Sequence, residues 1–311
     1  MIYNLDLFGQ QLREIRVSLN LNQKDIATVT HIDAKTIRRI EYGKVLPRLD
    51  ALDALSQVYK VVLPSLLLEY RFDDYEAFSS VKNLIETKLD NGNSFNFDNE
   101  LKILKTLLDS TNNLYYKNLI IQFVLLIEAI LLYKDKNYNL SLDKLIEALK
   151  TTTPTYKLEG YNSFEYSPVE VRILMNMAFV INMLDDKDRY IEILEFCIDS
   201  AEKDNVIYIK LCHNLAGAYI RNNDFKRALH FSNIGIKCSQ ENRIYNGLSI
   251  LFYGKGIAEY KLNNVEYLES LMTSIYLCKA YGQNQLAKTI IDNSKKFIGI
   301  DLSRYGLIHS R

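Results

Sequence analysis

Five cations lie close together in the first part of the chain, with one acid, Glu41, among them. They are Lys35, Arg38, Arg39, Lys44 and Arg48. Lysine and arginine side chains donate hydrogen bonds to phosphate oxygens and to the O6 and N7 acceptors of guanine. Residues 1–70 contain nine Lys or Arg and eight Asp or Glu, so this nearly neutral segment concentrates its positive charge here. The pattern offers contact with a polyanion, and the alternative interpretation is a solvated charged face.

Two short amphipathic helices joined by a tight turn would hold these cations on one face. The apolar positions that pack the two helices together are Ile26, Ile32, Ile37 and Ile40. Asn22 and Asp33 precede the two helical segments and suit the N-cap, where a side-chain oxygen accepts from free backbone N–H groups. Gly43 follows the second segment and is typical of a left-handed helix end. Residues 22–47 therefore predict a helix-turn-helix.

This stretch resembles the Cro/repressor-like (XRE) helix-turn-helix family. The resemblance is carried by Leu21-Asn22-Gln23, Ile26-Ala27, Thr36-Ile37, Ile40-Glu41, Gly43-Lys44 and Pro47. One position differs, because His31 occupies the turn position that is normally glycine. That position needs a positive φ, which His tolerates better than most residues, so we expect a small loss of stability. The resemblance also implies an internal ion pair between Arg16 and Glu41.

The second helix of such a motif lies in the major groove of DNA with its N-terminal residues at the base edges. The residues that we expect to read bases are Ala34, Lys35 and Arg39, since a cation can donate to guanine and a small apolar side chain can touch a thymine methyl. The residues that we expect to contact phosphates, which set register without reading sequence, are Gln23, Thr36, Arg38, Lys44 and Arg48.

Two pairs of a cation and an asparagine form a second group of candidate binding residues. Arg172 and Asn176 are four residues apart, as are Lys210 and Asn214, so each pair shares one helix face. An Asn amide can donate to a peptide C=O and accept from a peptide N–H, and a cation can hold a terminal carboxylate. The pairs predict a grip on an extended peptide. Taken alone, either pair would more often be structural, with Asn capping or bonding to an adjacent repeat and the cation on a wet surface, so the peptide interpretation depends on the repetition of the pair.

The sequence after about Lys60 is helical in pattern and repetitive. The clearest unit, residues 210–240, contains Leu215-Ala216, a polar turn at Asn222-Asn223-Asp224, and Ala228. It resembles a tetratricopeptide repeat, a helix-turn-helix unit of about 34 residues. Such units stack and line a concave surface with the first helix of each pair. His213 and Tyr253 are further candidates for peptide binding on that surface.

These patterns predict an all-α fold. We assign residues 1–63 to a five-helix helix-turn-helix domain, 64–75 to a linker, and 76–311 to a right-handed superhelix of tetratricopeptide-like helix pairs for peptide binding and dimerisation. A chain of 311 residues is too long for a DNA-binding module of about 65 residues alone. Its 12 glycines and 4 prolines disfavour a fold rich in β-turns.

The chain is expected to be cytoplasmic, with no membrane partner. No signal peptide opens it. The apolar run from Leu119 to Tyr133 is interrupted by Gln122 and Glu128, and it is shorter than the roughly 20 residues that a membrane span needs. The cysteines lie in apolar helical contexts without a C-x-x-C pair, which favours reduced core residues; they are Cys197, Cys212, Cys238 and Cys278.

No enzymatic activity, metal site or cofactor is expected. The four histidines have no carboxylate or nucleophile at a known catalytic spacing. The sequence also contains no phosphate-binding P-loop, no H-E-x-x-H and no G-x-S-x-G motif.

The two-part layout as a whole resembles the peptide-responsive regulators of low-GC Gram-positive bacteria, the Rgg, PlcR and PrgX group. The resemblance implies a homodimeric transcription regulator that binds an operator in double-stranded DNA and a short signalling peptide, a quorum-sensing pheromone. The alternative that the sequence leaves open is a DNA-binding repressor whose repeats dock a folded protein partner such as an antirepressor. Activation and repression use the same motif, so the direction of the switch is not predicted.

Overall fold

The computed structural model describes residues 3–71, 74–91, 96–111 and 113–304, and the regular structure within these ranges is helical, without a strand. The predicted all-α fold is confirmed. The chain divides into two compact units, Met1–Val124 and Leu125–Arg311. The boundaries that the sequence suggested around the linker at 64–75 stay a prediction, and Phe72 and Asp73 of that segment lie outside the described residues.

Five short helices share one apolar core at the start of the first unit. They are α1 (Leu5–Ser18), α2 (Gln23–Thr30), α3 (Ala34–Glu41), α4 (Leu49–Tyr59) and α5 (Leu63–Glu69). The core includes the buried side chains of Phe8, Leu12, Ile26, Ile37, Ile40, Leu52, Leu55, Leu63 and Leu67. Helix α5 begins at Leu63 and otherwise lies in the segment assigned to the linker, and its Pro64 occupies the first turn, where the missing N–H is tolerated.

The α2–α3 turn forms as the sequence indicates. Asn22 caps α2 and exchanges a reciprocal pair of hydrogen bonds with Asp25, and Asp33 caps α3 by accepting from the N–H of Lys35. His31 ends α2 with a φ of 58°, and Gly43 follows α3 with a φ of 66°. The left-handed residues that follow α2 and α3 therefore confirm the predicted turn chemistry.

The rest of the first unit comprises α6 (Tyr75–Asn91), α7 (Asp98–Ser110) and the start of α8 (Leu114–Lys134). Helices α6 and α7 pack together, and Lys88 Nζ lies 2.7 Å from Glu100 Oε1 between them.

Helix α8 is longer than the apolar run that the sequence singled out. By length and composition its 21 residues are long and apolar enough to cross a membrane, so the length argument against a span was wrong. Half of its most apolar window is buried inside the protein, which favours the core helix of a globular fold.

The second unit stacks antiparallel helix pairs. After the end of α8 come α9 (Tyr138–Lys150), α10 (Pro168–Met183), α11 (Lys187–Ser200), α12 (Val206–Arg221), α13 (Phe225–Asn242), α14 (Leu248–Lys261), α15 (Tyr267–Ala280) and α16 (Asn284–Ile298). The first helices of successive pairs, α10, α12, α14 and α16, also pack side by side. The four cysteines are buried and free, as expected for core residues.

A common register runs through these pairs. The buried residues Ala129, Ala178, Ala216 and Gly256 occupy matching positions on the first helices. Seven residues after each of them, the chain turns through a positive φ, at Lys136, Asp185, Asn223 and Asn263. At Gly256 an added Cβ would lie 2.7 Å from Leu271 Cγ, so α14 and α15 approach too closely for alanine. The repeat predicted around Ala216 thus continues at Gly256.

Candidate nucleic-acid interface and repeat groove

Helix α3 has one buried and one exposed face. An α-helix turns by about 100° per residue, so positions three and four apart share a side. The buried face contains Ile37, Ile40 and Glu41. The opposite face contains Ala34, Lys35, Arg38, Arg39 and Tyr42. The apolar face fixes α3 to the domain and leaves a cationic face on the surface.

The predicted DNA-contacting residues lie mainly on this open surface. The exposed members of the set are Lys35, Thr36, Arg38, Arg39, Lys44 and Arg48, and Ala34 is half-buried. Two members already have partners: Arg48 lies 3.1 Å from Asp50, and the half-buried Gln23 amide donates to Glu41 Oε2 at 2.7 Å. The structure therefore places three of the cations, Lys35, Arg38 and Arg39, together on α3.

A buried carboxylate ties the motif to its neighbours. Glu41 accepts from Arg16 Nε at 2.6 Å and from the second guanidinium nitrogen at 3.1 Å. The Tyr59 hydroxyl donates to it at 3.1 Å, and burial is the main cause that raises the pKa of Tyr59 well above its usual value. The ion pair implied by the family resemblance is thus present, and it links α1, α3 and α4.

A second cationic contact was missed from the sequence. The guanidinium carbon of Arg38 lies 5.6 Å from the centre of the Tyr42 ring, and that of Arg13, on α1, lies 6.0 Å from it. These are cation–π distances. The signal was weak because Arg13 precedes the recognisable motif, and only the packing of α1 against α3 brings it to Tyr42.

In the second unit, the predicted peptide-binding residues lie on neighbouring helices α10 and α12. Asn214 Nδ2 lies 3.9 Å from the sulfur of Met175, which directly precedes Asn176 in sequence. Asn176 itself donates to the backbone C=O of Arg172 at 2.8 Å. Arg172 is only 4% exposed, whereas Asn176, Lys210 and Asn214 are half-buried.

His213 directly precedes Asn214 on α12 and lies against the start of α14, and Tyr253 lies on α14 itself. A Cβ added to Gly247, just before α14, would lie 3.4 Å from His213 Nδ1. That nitrogen is buried without a hydrogen-bond partner in the described part of the chain, and burial, with help from the charge of Lys210, lowers the pKa of His213 to about 4. Tyr253 packs into the core formed by α14–α16, and burial raises its pKa.

The structure thus brings Asn214 next to the segment containing Asn176, and it places Tyr253 in a separate cluster. A cleft that the sequence did not reveal opens at the N-terminal ends of α10 and α12. Its lining includes Tyr166, Val171 and Ile207. Within the described ranges, no group of three or more His, Cys, Asp or Glu side chains is arranged to hold a metal ion.

Known proteins resemble both the first part of this chain and its overall fold. Residues 12–65 match a helix-turn-helix family model. The sequence matches no curated protein. Among solved structures, PlcR of Bacillus thuringiensis in complex with the peptide PapR7 and DNA is 15% identical, with a TM-score of 0.72 over 92% of this chain and 99% of PlcR.

Two further structures have the same architecture. The SHP pheromone receptor Rgg2 of Streptococcus dysgalactiae is 15% identical, with a TM-score of 0.57 over 93% of this chain and 99% of Rgg2. ComR from S. thermophilus, in complex with DNA and its signalling peptide ComS, is 15% identical, with a TM-score of 0.54 over 94% of this chain and 100% of ComR. Residues 12–65 are therefore an XRE-type helix-turn-helix domain, the DNA-binding part of a transcription regulator, and the chain as a whole has the fold of PlcR, Rgg2 and ComR.

Proposed function

We propose that this chain is a cytoplasmic, homodimeric transcription regulator, not an enzyme, whose repeat helices bind a short signalling peptide that modulates promoter binding or activation. The exposed cationic face of α3 is the observation that carries the DNA half of the proposal. Its N-terminal Lys35 and the neighbouring Arg39 are free to reach base edges, while Ile37 and Ile40 hold the helix in place.

Selection of operator fragments tests the DNA half. The purified full chain is mixed with fragmented DNA from its source organism, and the retained fragments are sequenced. We expect one family of sites with two-fold symmetry. Lys35→Ala and Arg39→Ala should each weaken binding by about 1–3 kcal/mol and relax the preference at one base pair. The matched control is Lys102→Ala, which removes an exposed cation of α7.

Two results would contradict this half of the proposal. One is a footprint without two-fold symmetry. The other is an affinity that is the same in Lys35→Ala, Arg39→Ala and the Lys102→Ala control.

The peptide half is supported by the shared fold and by the polar groups on α10 and α12. PlcR and ComR were each solved with DNA and a peptide. In this chain the amides of Asn176 and Asn214 lie on adjacent first helices, where they can pair with a peptide backbone if Asn176 gives up its bond within α10. Lys210, one turn before Asn214, supplies a positive charge suited to a terminal carboxylate.

A pool of random short linear peptides tests the peptide half. We expect the full chain to retain a distinct subset, and each of Asn176→Ala and Asn214→Ala to weaken retention about fivefold, the loss of one hydrogen bond worth about 1 kcal/mol. Retained peptides remade with a C-terminal amide should bind more weakly if Lys210 holds the carboxylate. Asn139→Ala, on the exposed side of α9, is the control and should bind normally.

The second candidate function is a repressor whose repeats dock a folded partner. It is favoured by the same fold, and the peptide experiment separates the two. A chain that binds its operator but retains no peptide, or whose retained peptides bind equally well to Asn176→Ala, Asn214→Ala and Asn139→Ala, would support docking of a folded protein.

A further inference from the structure

We propose that Arg13, Tyr42 and Arg38 form a second phosphate-binding element, which extends the DNA contact from α3 onto α1. This inference rests on the proposed function, because it requires that the helix-turn-helix domain bind duplex DNA. Tyr42 acts as a positioning residue, and the two guanidinium groups make the contact.

The close approach of α1 to the end of α3 creates this element. A Cβ added to Gly9 would lie 2.6 Å from the carbonyl oxygen of Glu41 and 2.7 Å from that of Ile40, so the two backbones touch there. Arg13 lies four residues beyond Gly9 and is therefore on the same side of α1. Tyr42 directly follows Glu41, so the contact at Gly9 brings Arg13 and Tyr42 together.

Two cations lie close to the ring of Tyr42. The guanidinium carbons of Arg13 and Arg38 lie 6.0 Å and 5.6 Å from its centre, and Tyr42 as a residue is 48% exposed. Two like charges repel when they approach one another. Attraction to the electron-rich face of the ring opposes that repulsion at both arginines, by about 0.5–1 kcal/mol at exposed sites.

Stacking leaves the donors of both arginines unused. Neither Arg13 nor Arg38 makes a hydrogen bond or an ion pair within the described part of the chain, although Asp6 and Glu14 lie in the same shallow depression as Arg13. A guanidinium that stacks on a ring keeps its in-plane N–H groups free, and these groups recognise phosphate. Arg16 contrasts with them, since it donates to Glu41 and to the C=O of Leu21.

The element is continuous with the cationic face of α3. Arg38 and Tyr42 lie on the same side of the helix as Lys35, and further from its N-terminus. When the start of such a helix lies in the major groove, the helix before it in the motif, here α2, crosses the sugar–phosphate backbone, so phosphates flank the exposed face of α3 that Arg38 and Tyr42 extend toward Arg13. Duplex DNA carries one negative charge per about 1.7 Å of its axis, so exposed arginines with free donors find phosphates there.

The salt dependence of DNA binding tests the inference. The probe is a mixed-sequence duplex of about 30 base pairs, titrated with the full chain between about 50 and 200 mM salt. Removing one phosphate contact with Arg13→Gln should lower the slope of log K against log[salt] by about 0.9, so affinity falls about 3.5-fold less across this range than in the unaltered chain. Lys102→Gln, which removes the same charge from exposed α7, should leave the slope unchanged.

Variants of Tyr42 test its positioning role. Tyr42→Phe keeps the ring and should keep the full slope of log K against log[salt]. Tyr42→Leu removes the ring that positions both arginines, so it should lower the slope by up to about 1.8. A slope for Arg13→Gln equal to that of Lys102→Gln would overturn the inference, and so would a Tyr42→Leu slope equal to that of Tyr42→Phe. If the unaltered chain bound neither this duplex nor selected operator fragments, the proposed function itself would fail.

Discussion

At the scale of single residues, His31 shows how the turn between α2 and α3 tolerates a side chain where glycine is usual. Its φ is 58° and its ψ is 18°, which is left-handed backbone. A Cβ in this region is crowded by its own backbone, at a cost of about 1–2 kcal/mol for typical L-residues. The side chain is exposed, so neighbouring atoms add no further clash.

We therefore expect His31→Gly to be more stable than the unaltered chain and His31→Val to be less stable. His31→Gly should stabilise α2 and α3 by up to about 1 kcal/mol, because relief of the Cβ strain outweighs the greater freedom of glycine in the unfolded chain. His31→Val should destabilise them, since a β-branched residue fits left-handed backbone worst. Amide hydrogen exchange of α2 and α3 in the full chain measures both, and slower exchange in His31→Val than in His31→Gly would contradict the strain.

His213 makes stability depend on pH. In the folded chain the pKa of His213 is lowered to about 4, because burial disfavours the charged imidazole. In the unfolded chain its pKa is 6.5. Between these values the unfolded chain binds a proton that the folded chain does not, so stability falls as pH falls through this window. Above pH 6.5 the contribution is fully present.

We expect His213→Gln to remove this dependence. Between about pH 6.5 and pH 4 the unaltered chain should lose roughly 2–3 kcal/mol more stability than the variant, as 1.36 kcal/mol per pKa unit implies. Urea unfolding of both proteins across this range measures the difference, and carboxylates affect both equally. Parallel stability curves would show that His213 is not the titrating group.

At the scale of elements, the contact between α1 and α3 decides where α3 sits. Gly9 allows the backbones of the two helices to meet. The ion pair between the side chains of Arg16 on α1 and Glu41 on α3 connects the same two helices. A buried ion pair is by itself weak evidence of stability, since desolvation opposes its attraction. The contact therefore depends on the absence of a side chain at Gly9.

Gly9→Ala should weaken this contact. Its Cβ would meet backbone oxygens of Ile40 and Glu41, which cannot rotate away as a side chain can. Such overpacking costs about 1–3 kcal/mol, and we expect lower DNA affinity as α3 shifts. Gly160→Ala is the control, because a Cβ there meets nothing within 4 Å. Equal unfolding midpoints for the two variants would contradict the close approach.

The sequence predicted some of these elements better than others. Local turn chemistry at Asn22, His31, Asp33 and Gly43 was readable, because each residue type has a distinct backbone preference. The pairing of Arg13 with Tyr42 was not, since it depends on how α1 packs. The burial of Arg172 also escaped prediction, because four-residue spacing assigns a helix face but does not say what covers that face.

At the scale of the whole molecule, the first 70 residues carry almost no net charge, with nine Lys or Arg against eight Asp or Glu. Non-specific attraction to DNA scales with the number of phosphates neutralised, so one such domain alone binds modestly. In the proposed homodimer, two recognition helices would bind half-sites about 34 Å apart, and their combined contacts would supply the affinity.

Half-site spacing tests the dimer. Once an operator is selected, inserting about five base pairs between its half-sites turns them to opposite sides of the duplex and should lower affinity at least tenfold, whereas about ten base pairs restore the phase. Competition binding with the three duplexes measures this. An affinity that does not change with spacing would mean that one copy of the domain binds alone.

The left-handed turns at Lys136, Asp185, Asn223 and Asn263 have a consequence for how the second unit can vary. Each follows its small helix residue by seven positions, and in the first three hairpins the joint between the two helices is three residues long, whereas the joint between α14 and α15 is five residues long. The joints between hairpins differ, and the one from α9 to α10 is long enough to include a 3-10 helix at Leu158–Ser163. The turn therefore begins at the same distance from the small helix residue in these four hairpins, and we expect insertions in the joints between hairpins to change the spacing of the first helices without disturbing the turns inside them.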